Sequence, residues 1–195
     1  MLDHKRQTAI ILSPKEKMIM RAALSFLVLM GAFALVANAA DDKTAAKKES
    51  PADAGLERFK QLAGDWVGKA GEGKDAHSVH VSYKVTSGGS TVLETITPSA
   101  EHEMVTAIHK DGDDLVLTHY CALGNQPHMK AERSGDDKKI AFKFAGGANI
   151  KPDKDMHMHE ATFTFVDKDT LKAEWTLYKD GKAATTVAFD LKRKK

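Results

Sequence analysis

The residues best suited to chemistry in this chain lie in two short stretches. In Leu115-Val116-Leu117-Thr118-His119-Tyr120-Cys121, the only cysteine and a histidine stand two residues apart. On an extended strand that spacing places them on one face with Leu115 and Leu117. Same-face residues two apart are about 7 Å apart along a strand, too far for a direct thiol–imidazole hydrogen bond unless both side chains lean together. The pair therefore suits ligand contact, or metal or haem ligation, better than nucleophilic catalysis; its plain reading is a buried thiol beside a hydrogen-bonded histidine. In Asp155-Met156-His157-Met158-His159-Glu160, His157 and His159 form a His-x-His pair, two of the ligands a transition-metal site needs. A regular strand would continue them onto the face of Phe163 and Phe165, although the adjoining Gly-, Pro-, Lys- and Asp-rich loop equally suits a rim position.

Several isolated groups add to the inventory. Glu94 alternates with Val92 and Ile96, so it is a carboxylate expected to point either into an apolar interior or out to water. Tyr83 offers a hydroxyl on an otherwise apolar face. In Gly124-Asn125-Gln126-Pro127, a turn, Asn125 could hydrogen-bond a ligand at a cavity mouth, with Met129 just beyond it. Trp175 is in phase with Leu171, Ala173 and Leu177, the four alternating with Lys172, Glu174 and Thr176. No phosphate-cradling glycine loop, serine-triad signature, paired-cysteine motif or nucleotide fingerprint is present.

What must position these groups is a set of strands. After Trp66 the apolar period is 2: Val79, Val81, Tyr83 and Val85, then Ala161, Phe163 and Phe165, then Leu171, Ala173, Trp175 and Leu177. Turn signals separate the runs at Ser87-Gly88-Gly89-Ser90, Asp111-Gly112-Asp113-Asp114, Ser134-Gly135-Asp136-Asp137, Asp167-Lys168-Asp169 and Lys179-Asp180-Gly181-Lys182. Links this short give an antiparallel meander of about 8–10 strands, and closing it into an up-and-down β-barrel removes both edges. The sequence thus predicts an all-β barrel over residues 56–195, wide enough for a ligand cavity. Leu56, Phe59, Leu62 and Ala63 predict a short amphipathic helix ahead of the first strand.

The run Phe59-Lys60-Gln61-Leu62-Ala63-Gly64-Asp65-Trp66, a helix entering Gly-x-Trp, resembles the opening of lipocalin and wider calycin barrels, and of bacterial secreted proteins that begin Leu-Ala-Gly-x-Trp. That resemblance implies a tryptophan, here Trp66, plugging the closed end beneath a ligand cavity. It also implies a basic residue of the last strand covering the ring, here Arg193 or Lys192. The second lipocalin motif, of the Thr-Asp-Tyr kind, is missing, as is a disulfide, and the strand count exceeds eight. The likeness therefore extends to the broader lipocalin-like group, which includes fatty-acid-binding and haem-binding barrels.

Upstream, Arg21 precedes an apolar run from Ala22 to Val36, and Ala37-Asn38-Ala39 follows it. This is the pattern of a secretory signal cleaved after Ala39, and it predicts a secreted or periplasmic protein with no membrane span once cleaved. Residues 40–55 read as a solvated, disordered linker. Without residues 1–39, 24 basic and 25 acidic residues remain, a net charge of −1 against +2 for the whole chain. The basic character belongs to the leader, so no nucleic-acid partner is indicated.

The sequence accordingly predicts a non-enzymatic barrel that binds a small, apolar or amphipathic molecule, contacted by Trp66, Tyr83, Glu94, His119, Cys121, Asn125, Met129 and Trp175. A haem- or metal-binding barrel using His119 and Cys121, or His157 and His159, is the alternative. An interaction domain without ligand is a third.

Overall fold

The computed structural model describes residues 50–71, 73–98, 102–132 and 136–195. The expected leader, most of the linker, and Ser134-Gly135 of one turn signal lie outside them. Helix α1 spans Pro51–Lys60, beginning within the stretch expected to be linker. Its start is a capping box: the Asp53 amide donates to Ser50 Oγ (3.1 Å) and the Ser50 amide to Asp53 Oδ2 (3.0 Å). Pro51 fits the first turn, where a missing N–H costs nothing. Ala52, Leu56 and Phe59 bury one face, and the Lys110 ammonium pairs with Asp53.

Ten strands follow: β1 (Gly64–Ala70), β2 (His77–Thr86), β3 (Thr91–Thr97), β4 (Met104–Asp111), β5 (Asp114–Tyr120), β6 (Gln126–Ala131), β7 (Lys139–Ala148), β8 (His157–Asp167), β9 (Thr170–Lys179) and β10 (Lys182–Arg193). Each pairs antiparallel with its neighbour in sequence, and β1 pairs with β10 to close the barrel. The turns at Ser87–Gly89, between Asp111 and Asp114, and between Lys179 and Lys182 fall where glycine-rich signals predicted them. Gly88, Gly112 and Gly181 there have φ of +63°, +58° and +71°, a region L side chains enter only at a cost. Among the described residues no helix is long and apolar enough to cross a membrane.

The helix seals one end of the barrel. Phe59 meets Phe163 and Phe165 edge-on, with centroids 5.0 and 5.4 Å away, and Phe142 at 6.0 Å. Trp66, wholly buried, donates its indole N–H to the Leu62 carbonyl (2.7 Å). Over its ring lies the Arg193 guanidinium, 4.4 Å from the centroid. Arg193 also donates to the carbonyls of Gln61 (2.8 Å), the C-cap of the helix, and Ala63 (2.9 Å), just beyond it, and to that of Lys168 in the β8–β9 turn (3.1 Å). A cation is favourable there because the last carbonyls of a helix lack intrahelical partners and carry partial negative charge.

Closure also fixes Gly68. A β-carbon there would sit 1.9 Å from the carbonyl oxygen of Asp190, on the strand across the seam. Gly68→Ala should therefore destabilise the protein by about 1–3 kcal/mol, read as a lowered midpoint in urea unfolding, whereas alanine at a position with room would leave the midpoint nearly unchanged.

Candidate functional site

Four strands in succession place one polar residue each on the same row of the inner face. Tyr83 of β2 lies opposite Glu94 of β3, Glu94 opposite Thr106 of β4, and Thr106 opposite His119 of β5. All four are buried, with relative exposures of 3, 1, 0 and 1%. Directly opposed side chains in an antiparallel sheet are close enough to touch, and these do. The Tyr83 hydroxyl donates to Glu94 Oε1 (2.7 Å), and Thr106 Oγ1 shares a hydrogen bond with His119 Nδ1 (3.0 Å).

Two atoms of the row have no partner: Glu94 Oε2 and His119 Nε2. Burial raises the Glu94 pKa, against weaker opposing pulls from the Tyr83 and Thr106 hydroxyls. Burial and the neighbouring carboxyl hold the Tyr83 phenol well above its ordinary value. Burial alone pushes His119 down to about 4, so at neutral pH its imidazole is uncharged.

His119 lines a cavity of about 110 Å³ at the end of the barrel away from the helix. Ala70, Ile96, Met104, Met158, Val187 and Phe189 supply apolar walls, and His77 and Pro98 complete them. Trp175 packs beside the imidazole, ring centroids 4.7 Å apart. Empty apolar cavities of this order, about 150 Å³, are known to stay dry and take a benzene-sized guest. A larger groove of about 300 Å³ runs beside α1, where Asp113, Asp114, Glu132 and Asp137 mix with Arg58 and Lys139. It is the less selective surface, since the buried unpartnered side-chain atoms of the described residues lie elsewhere.

The other predicted residues are distributed around this row. Trp66 stands at the sealed end, edge-on to Tyr83 at 6.4 Å. Met129 is fully buried in the core but does not line the cavity. Cys121 falls just past the end of β5, where its amide donates to the Asn125 carbonyl (3.1 Å) and its carbonyl accepts from the Gly124 amide (2.9 Å). It is absent from the cavity wall, and burial raises its thiol pKa, leaving it in the less nucleophilic protonated form. Asn125 spends its amide on the Met156 carbonyl (2.7 Å), stapling this loop to the start of β8.

His157 and His159 do not continue the cavity face. A bulge between Met158 and Glu160 inserts one residue, so Met158 lies opposite Leu177, on the face of Trp175, while His157 lies opposite Tyr178. Met158 consequently reaches the cavity. The two imidazoles bond each other instead, Nε2 of His157 to Nδ1 of His159 at 2.9 Å. His157 Nδ1 must donate to the Asp155 carbonyl (2.8 Å), so in the neutral ring Nε2 accepts from His159. His159 is sandwiched between Phe144 (4.9 Å) and Tyr178 (3.8 Å), and burial followed by His157 lowers its pKa. A metal would have to break the His–His bond, and among the described residues no group of three or more His, Cys, Asp or Glu is placed to hold one.

Thr106 is the member of the row that sequence reasoning missed. It is a neutral hydroxyl in an alternating strand, and nothing local marks it. Counting outward from the Asp111–Asp114 turn does pair it with His119, and that was the available signal.

No family model matches the sequence, and no curated protein matches it. Among solved structures, the chain is similar to a protein of unknown function of the DUF3598 family from Nostoc punctiforme, with 12% identity and a TM-score of 0.48 over 69% of this chain and 48% of that one. It thus spans about half that protein's length. It is also similar to Rv2717c from M. tuberculosis, with 18% identity and a TM-score of 0.49 over 75% of this chain and 99% of that one. Both likenesses are of fold.

The depressed His119 pKa has a consequence for stability. Between about 4 and the ordinary 6.5 the unfolded chain binds the proton that folded His119 refuses, so this residue's contribution grows as pH rises through that window and is flat above it. Glu94, with its raised pKa, works in the opposite sense: its contribution is full at low pH and is lost as pH rises. Comparing wild type with His119→Gln isolates the histidine. The difference in unfolding free energy should increase by about 3 kcal/mol from pH 4 to 6.5, measured by urea titration at a series of pH values.

Proposed function

We propose that this chain is a lipocalin-like binding protein that holds a small, largely apolar molecule in the cavity beside His119 and Trp175. The observation that carries the reading is His119 itself. It is a fully buried imidazole with one ring nitrogen engaged and the other unpartnered, in the wall of a largely apolar cavity that His77 also lines. An unpartnered buried polar atom costs about 1–3 kcal/mol, and a guest that bonds to it recovers that loss. Binding sites are commonly apolar pockets with few placed polar groups, and this cavity has that composition. The sealed end supports the lipocalin-like reading, since Trp66 under Arg193 is the arrangement the Gly-x-Trp resemblance implies.

The cavity's size favours a guest no larger than a small ring; a porphyrin would require the walls to part. His119 and Cys121 do not share the cavity wall, so the haem or metal alternative draws no support from that pair. In the same reading, residues 1–39 direct export and are removed, which N-terminal sequencing of the exported protein would register as a start at Ala40.

Binding is tested by titrating the full chain, after export and processing, with small cyclic hydrocarbons while following Trp175 and His119 resonances by NMR. Saturable shifts confined to the cavity wall are expected, and Val187→Phe, which fills the space, should weaken binding by about tenfold or more. Shifts spread over the surface, or binding unaffected by filling, would sink the reading.

A further inference from the structure

We infer that Thr106 and Glu94 fix the tautomer of His119, a residue of the cavity wall, so that its unpartnered Nε2 is a hydrogen-bond donor and selects guests that carry an acceptor, such as a carbonyl. This rests on the cavity being the binding site and adds the chemistry of what it admits.

Glu94 Oε1 already accepts from the Tyr83 hydroxyl. Among the described residues no lysine, arginine or histidine forms an ion pair with Glu94, so its ionised form would be an uncompensated buried charge. The neutral acid is therefore the stable form, and its proton sits on Oε2. A carboxylate would claim the Thr106 hydroxyl hydrogen; a carboxylic acid does not. That hydrogen is free to go to His119 Nδ1, 3.0 Å away. A neutral imidazole that accepts at Nδ1 carries its own hydrogen at Nε2. The unpartnered ring nitrogen is then an N–H lacking an acceptor. Guests with a carbonyl, nitro or ether oxygen satisfy it. Guests that only donate leave two hydrogens facing each other.

Threonine is suited to this role because its single hydrogen can point only one way at a time. Glu94 thereby acts as a positioning residue without touching the guest. Glutamine at the same position presents an oxygen to Tyr83 and an N–H toward Thr106, mimicking the protonated acid.

The test uses the full exported chain, labelled with nitrogen-15, and long-range proton–nitrogen spectra that show which ring nitrogen of His119 lacks hydrogen. Nδ1 should be the bare nitrogen in wild type and in Glu94→Gln. Thr106→Val should yield a tautomer mixture, and Thr106→Ser should restore the single form. A bare Nε2 in wild type, or a tautomer reversed by Glu94→Gln, overturns the inference; should a variant fail to fold, the wild-type spectrum alone decides. Three rings of similar size then read selectivity: cyclopentanone should bind about tenfold tighter than cyclopentane or pyrrole. Preference for pyrrole overturns the inference with the cavity reading intact. Failure of all three to bind defeats the cavity reading, and the tautomer is still read from the spectra.

Discussion

Everything in this molecule depends on the pairing of β1 with β10. A ten-strand meander has two edges, each a row of unpaired N–H and C=O groups. The seam removes both, and it does so only because Gly68 lets the backbone of β10 approach where any side chain would strike the Asp190 carbonyl. Arg193 then carries the closure into the helix. One guanidinium joins the end of α1, the Trp66 ring and the β8–β9 turn, so the last strand, the first strand and the plug become a single unit. The sealed end is tied together for that reason, and a cavity is left at the other.

The two ends differ in how they are filled. Around α1, Phe59, Phe142, Phe163 and Phe165 interlock edge-to-face, an arrangement that suits the charge distribution of aromatic rings. Away from the helix the inward positions become smaller or more slender, with Ala70, Val187 and Met158, and the core opens into the cavity. The polar row of Tyr83, Glu94, Thr106 and His119 runs between these regions. Tyr83 pairs with Glu94 and Thr106 with His119, and of the four His119 lines the cavity. The unmet hydrogen-bonding capacity of the row is confined to two buried atoms, Glu94 Oε2 and His119 Nε2.

The His157–His159 region shows how one residue can redirect a surface. A regular strand would have given both imidazoles the face of Phe163. The bulge gives that face to Met158 and leaves the histidines to pair with each other among Phe144 and Tyr178. The same local freedom acts at Cys121, where the chain leaves the strand one residue after Tyr120 and turns to be held by Asn125.

By itself the sequence determined the barrel. Alternation at Val79, Val81 and Tyr83, and at Leu171, Ala173 and Trp175, together with glycine-bearing turns, specifies a closed meander because side-chain direction in a strand has a period of 2. It also determined that Tyr83, Glu94 and His119 share faces with buried apolar residues, and that Trp66 follows a helix. The helix start at Ser50-Pro51-Ala52-Asp53 lies in a stretch whose polar composition pointed to a linker, and only the structure shows its cap. Tertiary structure alone decided the rest. Which residues of different strands meet depends on register, and register depends on every turn and bulge between them, so the Glu94–Thr106–His119 row could not be read from any one segment. The cavity depends on volumes contributed by eight strands at once, and whether a ring nitrogen of His119 finds a partner is a property of that shared packing.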